Sequence, residues 1–421
     1  MSKKVIINFF QNIALVALTV TAVLLLMRFP MLDGVISGQM RVLLSAPESR
    51  DQIGVDLSSA VSTVHLVVTD DAEFGRYTQM NASADGVDFQ RLKPILRGAI
   101  GSAAVGRNAT HTEFRNALNS PGVYVDLTTA LPVSVVAAWL GEEFGTEDEI
   151  RALALTTVRE TAVLFFLRTD GTIMRCESAL TSSAVREMVA SFSPNGGRFA
   201  YESEYASLAP YTVLVQKMGA MSRVNASIPA GYSAYNLLTA LELNAHANSR
   251  YFESSGTEVV MQAPHFLWIG TDGAVHYSSD GEVTDGLYRI ACEGEHPTAV
   301  EALRGAYNIA CALSEGVDAA PLALESVEKT ELGWIINFCY RINGVTVRLG
   351  DEKQALRVVV QGDTIVEFDY FCRTYESTQE STYLLPPVMA VAIASMHDGA
   401  ELTLAYADNG EGAYSAYWFA K

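Results

Sequence analysis

The sequence predicts an α+β protein: one N-terminal transmembrane helix followed by an extracytoplasmic body of two or three mixed antiparallel-sheet and helix domains. Three observations lead there. Residues 5–27 carry no charge, and a helix of that length spans the roughly 30 Å of a hydrocarbon core. Asp-Gly and Asn-Gly turns recur between β-rich runs, and single helical patterns interrupt those runs instead of alternating with every strand, which separates α+β from a parallel βαβ sheet. The chain has 421 residues, 49% apolar and 18% charged, enough for several cores and too apolar for a disordered protein.

Lys3 and Lys4 precede the apolar run, so the N-terminus is expected in the cytoplasm and the body outside, as a single-pass protein of the cell membrane. The rival reading is a cleaved secretory signal. It is disfavoured because the run exceeds a signal's roughly 7–15 apolar residues and closes in Leu24-Leu25-Leu26-Met27-Arg28, without a small-residue cleavage site. Asn8, Gln11, Asn12, Thr19 and Ala22 share one side of this helix, with residues 8, 12 and 19 within about 40° of each other. They are the candidate partner-binding face, since amides and hydroxyls in lipid hydrogen-bond neighbouring helices; the bland alternative puts the three amides among the cytoplasmic headgroups.

Residues 29–57, with Pro30, Gly34, Gly38 and Pro47, read as a juxtamembrane connector. An N-terminal α+β domain is expected over 58–220, a middle one over 221–296 and a C-terminal one with antiparallel hairpins over 297–421. Thr63–Thr69 is a first strand, with His65 an ordinary member of it. Helical spacing marks Phe89–Ala103, and Pro132 suits the first turn of a helix over Val133–Leu140. Thr161–Leu167 and Thr172–Cys176 flank an Asp-Gly turn, and the same arrangement returns at Phe266–Ile269 and Ala274–Ser278, a hint of a repeated unit. Further helices are expected at Ser183–Phe192, at Tyr235–Leu243 and from Pro297 to about Ser314, the last stopped by Gly316. Asn343-Gly344 and Gly362-Asp363 turn two more hairpins; then come a helix over Val388–Met396 and strands at Leu402–Tyr406 and Tyr414–Phe419.

The formal charge is −19, and beyond the three cations of the first 28 residues the chain carries −22. That excludes a nucleic-acid partner, which requires a basic patch. The five cysteines, 176, 292, 311, 339 and 372, include no C-x-x-C, and their odd number leaves at least one thiol unpaired. The seven histidines show no metal-ligand spacing, so no metal or other cofactor is expected. No nucleophile elbow, P-loop, H-E-x-x-H or dinucleotide fingerprint occurs. The acid pairs Asp70-Asp71, Glu142-Glu143 and Asp148-Glu149 read as solvated. No catalytic residue is nominated, and the protein is read as a non-enzyme.

The order of elements carries a resemblance. Tyr251–Ser278, then Gly333–Phe338 with Ile342–Val347, Val358–Val360 with Asp363–Val366, and Leu384-Leu385-Pro386-Pro387 before the last helix form one series. Gly75–Thr78 and the helix ending Ala99–Ala103 precede it. Together they resemble the YycH/YycI family of two-component system regulators in its longer, YycH-like form. The resemblance implies a regulator of a membrane histidine kinase governing cell-wall metabolism, acting through its anchor helix and outer body, usually with a companion YycI-like regulator. It supplies no active site. The alternative reading is an anchored extracytoplasmic ligand-binding or sensor module for a cell-wall component, which calls for a cleft with convergent polar groups.

Overall fold

The structure, a computed structural model, describes residues 57–420 except 105, 204–206, 247–248, 280–285, 351–352 and 411. The expected anchor, its polar face and nearly all of the connector lie outside the described residues. Thr63–Thr69 is strand β1 as expected, and every one of its residues is buried. With β2 (Arg76–Ser83), β3 (Arg107–Ala109), β4 (Gly122–Pro132), β5 (Glu149–Val158), β6 (Thr161–Arg168) and β7 (Ile173–Thr181) it forms a seven-stranded sheet in the order β2-β1-β4-β5-β6-β7-β3. All its neighbours are antiparallel. The central strands read as unbroken apolar runs because both sheet faces are covered.

One face, with Leu66, Val125, Leu153, Leu164 and Phe166, packs on helices α1 (Val87–Gly101), α3 (Val133–Leu140) and α4 (Ser182–Val189). Helix α1 turns Phe89, Leu92, Leu96 and Ile100 inward, the spacing that marked it in the sequence. The other face carries Val67, Tyr124, Ala152, Ala154, Val163 and Phe165. It is covered by Phe114 of α2 (His111–Leu118), Tyr211, and the small pair β8 (Arg198–Phe199) and β9 (Val213–Leu214).

The remaining strands are β10 (Met221–Ser227), β11 (Arg250–Phe252), β12 (Glu258–Gln262), β13 (His265–Ile269), β14 (Ala274–Ser279), β15 (Leu322–Lys329), β16 (Gly333–Ile342) and β17 (Val345–Leu349), then β18 (Leu356–Gln361), β19 (Thr364–Phe371), β20 (Thr374–Thr382), β21 (Leu402–Asp408), β22 (Gly412–Tyr414) and β23 (Ala416–Ala420). Eleven of them form one sheet in the order β11-β12-β13-β14-β19-β18-β16-β17-β21-β23, with β15 also on β16. A three-stranded sheet, β20-β10-β22, joins β10 to two strands from much later in the chain. One pairing departs from the antiparallel expectation: β17 and β21 run parallel. The chain between them contains β18–β20 and helix α7 (Pro387–Ala394), long enough for the crossover a parallel pair requires. The two Thr-Asp-Gly hairpins, β6/β7 and β13/β14, belong to different sheets.

Helix α6 (Ala299–Val317) begins in a capping box of Thr298 and Glu301 and runs past the expected stop at Gly316. Asp318, at φ 57°, ends it instead. Gly316 serves packing: a Cβ there would lie 2.5 Å from the Cβ of Ala240, on the facing helix α5 (Ala234–Ala240). Residues 52–421 form one unit. The first and large sheets are tied by the Leu324 N–H donating to the Ala60 carbonyl (2.9 Å) and by Arg341, whose Nη1 donates to the Thr63 carbonyl (3.1 Å) and whose Nη2 donates to Thr128 Oγ1 (3.2 Å).

Candidate functional site

Asn8, Gln11, Asn12, Thr19 and Ala22 lie outside the described residues. Among the described residues no helix is long and apolar enough to cross a membrane, and no group of three or more His, Cys, Asp or Glu is placed to hold a metal ion. All five cysteines are free; Cys176, Cys339 and Cys372 are buried. Burial pushes the Cys176 and Cys372 thiols up to about 11, so they behave as small apolar side chains.

The most developed polar site is a cavity of about 300 Å³ between the outer face of the first sheet, residues 209–213 and the start of β21. Strand register builds it. His65 on β1 stands directly opposite Asp126 on β4, and side chains alternate along a strand, so Tyr124 shares their face. Opposite Asp126 and Tyr124 on β5 are Ala152 and Ala154. Those two methyl groups leave space that larger side chains would fill.

His65 is 6% exposed, and its Nδ1 accepts the Asn81 N–H at 3.0 Å. That bond puts the ring proton on Nε2. Burial lowers its pKa below 6.5; the Asp126 charge opposes the shift, and Arg341 and Arg151 add to it. The imidazole is therefore neutral at pH 7. Asp126 is 5% exposed, and its Oδ1 accepts the Thr128 N–H at 2.8 Å. Thr128 has φ 64°, in the irregular stretch of β4 between Asp126 and Leu131. Burial raises the Tyr124 hydroxyl well above its usual pKa, keeping it neutral. His111 Nδ1 and the Tyr211 hydroxyl are 2.8 Å apart, and Arg151 forms an ion pair with Glu401. The buried Thr212 hydroxyl finds no partner among the described residues. The cavity thus sets the Asp126 carboxylate, the Arg151–Glu401 pair, Arg168 (itself paired with Asp148), two histidines and aromatic rings around a small space. Its His–Asp pair is not arranged for base catalysis, because Nδ1 accepts a backbone N–H where a triad histidine donates to its carboxylate.

Two other surfaces stand out. A cavity of about 610 Å³ lies beside Trp268, His276, Lys353, Arg357 and Asp369 on the large sheet; His276 Nδ1 is 2.7 Å from Asp369 Oδ1. Helix α7 buries Ala390, Val391 and Ala394 against Leu208, Leu214 and Leu402. Its other side exposes Val388 (60%), Met389 (55%) and Ile393 (53%), continued by Tyr383 and Met396. No charge occurs between Thr382 and Met396, which makes this exposed apolar side of α7 a candidate contact surface.

Sequence reasoning placed His65 in its strand as an ordinary member of it, and it passed over Tyr124 and Asp126 entirely. The only local signal was a histidine inside an otherwise apolar or threonine-rich run. Its partner is 61 positions away and is revealed by the pairing of β1 with β4. Of the aromatic residues near the C-terminus, Tyr406 is fully buried and Tyr417 is 37% exposed, so they do not form one contact surface.

No family model matches the sequence, and no curated protein matches it. The architecture defines the chain as a mixed α+β protein with a YycH-like fold. The solved structure that carries this likeness is that of YycH from Bacillus subtilis, with a TM-score of 0.50 over 87% of this chain and 94% of that one, at 10% sequence identity.

Proposed function

We propose that this chain is a non-enzymatic, single-pass membrane regulator of a two-component system that modulates a histidine kinase concerned with the cell wall. The observation that carries the reading is the likeness to the YycH fold across 87% of the chain. Two features support it. Residues 5–27 have the length and the charge-free character of an anchor, with Lys3 and Lys4 on the cytoplasmic side. The exposed apolar side of α7 gives the outer body a surface for a protein partner, the kinase or a companion YycI-like regulator.

The mechanism is a shift between two kinase states. Asn8, Gln11, Asn12, Thr19 and Ala22 pack on the kinase's membrane helices while the body docks outside. A coupling of about 1–3 kcal/mol suffices for regulation, within reach of a few interhelical hydrogen bonds and their packing. The test is co-purification of the full chain with the kinase from membranes. The double change Asn12→Leu and Thr19→Leu is expected to weaken recovery while the body stays folded. Unchanged recovery would remove the anchor face from the mechanism, and a mature chain found free in the medium, beginning beyond residue 28, would remove the reading altogether.

A further inference from the structure

We propose that the His65–Asp126 cavity binds a small primary ammonium compound of amino-acid or single-sugar size, with its ammonium group on Asp126. Asp126 is 5% exposed, and its one hydrogen-bond partner among the described residues, the Thr128 N–H, engages only Oδ1. Among the described residues it forms no ion pair: the neighbouring His65 is held neutral by burial, Arg151 is paired with Glu401, Arg168 with Asp148, and Arg341 donates to Thr63 and Thr128. A buried carboxylate with no direct ion-pair partner is costly, and a carboxylate only accepts hydrogen bonds. The missing partner is therefore a cation that donates.

The rest of the cavity fits an ammonium group on an organic frame. Tyr124 and Thr212 line the same space, and their hydroxyls, that of Thr212 without a partner among the described residues, are the groups to accept its other hydrogens. The rings of Tyr124 and Tyr211 offer electron-rich surface to a cation. The neutral His65 leaves its Nε2–H for an oxygen elsewhere on the ligand. A volume of about 300 Å³ is at the small end for ligand sites, and a body carrying −22 raises the local concentration of cations. A bare metal ion fits less well, because His65 Nδ1 is occupied and Asp126 would stand as a nearly solitary ligand.

The site goes beyond the kinase reading, and its test needs no kinase, so the two fail separately. The full chain in detergent is titrated calorimetrically with glucosamine and with alanine, each against a counterpart without the ammonium group, N-acetylglucosamine and lactate. At least one amine is expected to bind, and its counterpart to bind roughly tenfold or more weakly; which amine binds separates an amino-sugar ligand from an amino-acid one. Asp126→Asn, which keeps the acceptor for the Thr128 N–H, is expected to lose the amine by a similar factor. Thr212→Val, which removes a hydroxyl with no partner among the described residues, keeps the fold and weakens the amine by a few-fold. Binding of neither amine at millimolar concentration, equal binding of amine and counterpart, or unchanged amine affinity in folded Asp126→Asn or Thr212→Val would each overturn the proposal.

Discussion

Arg373 and Asp408 meet in the interior, guanidinium Nε 3.6 Å from carboxylate Oδ2, with side chains 3% and 0% exposed. Asp408 also accepts from the Tyr375 hydroxyl (2.8 Å) and the Gly410 N–H (2.9 Å), while Arg373 Nη1 donates to the Asp272 carbonyl (2.7 Å). One pair thus joins the ends of β14, β20 and β21, drawn from three stretches of chain. Asp408→Asn keeps the shape but leaves the arginine charge buried alone, and should cost about 3–5 kcal/mol in urea unfolding. Arg373→Met combined with Asp408→Leu should recover most of that loss. A loss under about 1 kcal/mol in the single variant would show that the charge is compensated elsewhere.

His65 titrates against the fold. Its folded pKa lies below 6.5 because burial disfavours the cation. The unfolded chain therefore takes up a proton that the folded chain refuses, and stability falls as pH drops below about 6.5. His65→Asn, which retains an acceptor for the Asn81 N–H, should flatten that part of the stability–pH curve. Parallel curves for the two proteins between about pH 5 and 7 would contradict the buried neutral imidazole.

His276 and Asp369 behave in the opposite way. Their hydrogen bond raises the histidine above 6.5 and holds the aspartate below 3.8. The histidine's contribution is complete below 6.5 and disappears as pH rises through its raised value; the aspartate's is complete above 3.8 and disappears as pH falls through its lowered value. The pair therefore contributes most between about 3.8 and 6.5. Both side chains are about half exposed, so the effect is modest. Wild type should be more stable than His276→Gln at pH 5.5, with the difference shrinking by about pH 8.

The exposed side of α7 makes a prediction about partners. Ile393→Glu with Met396→Glu adds charge to side chains 53% and 79% exposed, which should change stability by no more than about 0.5 kcal/mol per site. Recovery of the kinase or the companion regulator with the full chain should fall sharply. Undiminished recovery would show that this surface is not used.

Gly316→Ala tests packing against propensity. Helix propensity alone favours alanine by about 1 kcal/mol. The added Cβ would meet the Cβ of Ala240 at 2.5 Å, with no flexible end to give way. The variant should be destabilised by about 1–3 kcal/mol, and a rise in melting temperature would show that α5 and α6 can move apart freely.

Much of the fold was legible because its signals are local. Asn343 and Gly344 have φ of 50° and 79°, the positive values that an Asn-Gly turn advertises, and β16 and β17 follow from them. Gly171, Gly273 and Gly362 mark their hairpins in the same way. The strands β2, β4, β5, β10, β15 and β20 and helix α2 were not singled out. Apart from β2, which is followed by Asp85-Gly86 at the start of a helix and not of a hairpin, they lack an Asn-Gly or Asp-Gly turn at their joints, and β20 has mostly polar residues exposed on both faces. Gly316 was misread because the same residue type serves a helix stop and a close helix contact, and only the neighbouring helix distinguishes them.

The sequence by itself determined the charge-free stretch at 5–27, the acidic character of the remainder and the alternation of hairpins with single helices, since each depends on residues adjacent in the chain. Tertiary structure decided the parallel pairing of β17 with β21, the sheet that brings β10 to β20 and β22, and the cavity where His65 faces Asp126. Those depend on register between distant strands, and a shift of one residue in β4 would turn Asp126 to the helix-covered side and Val125 into the cavity.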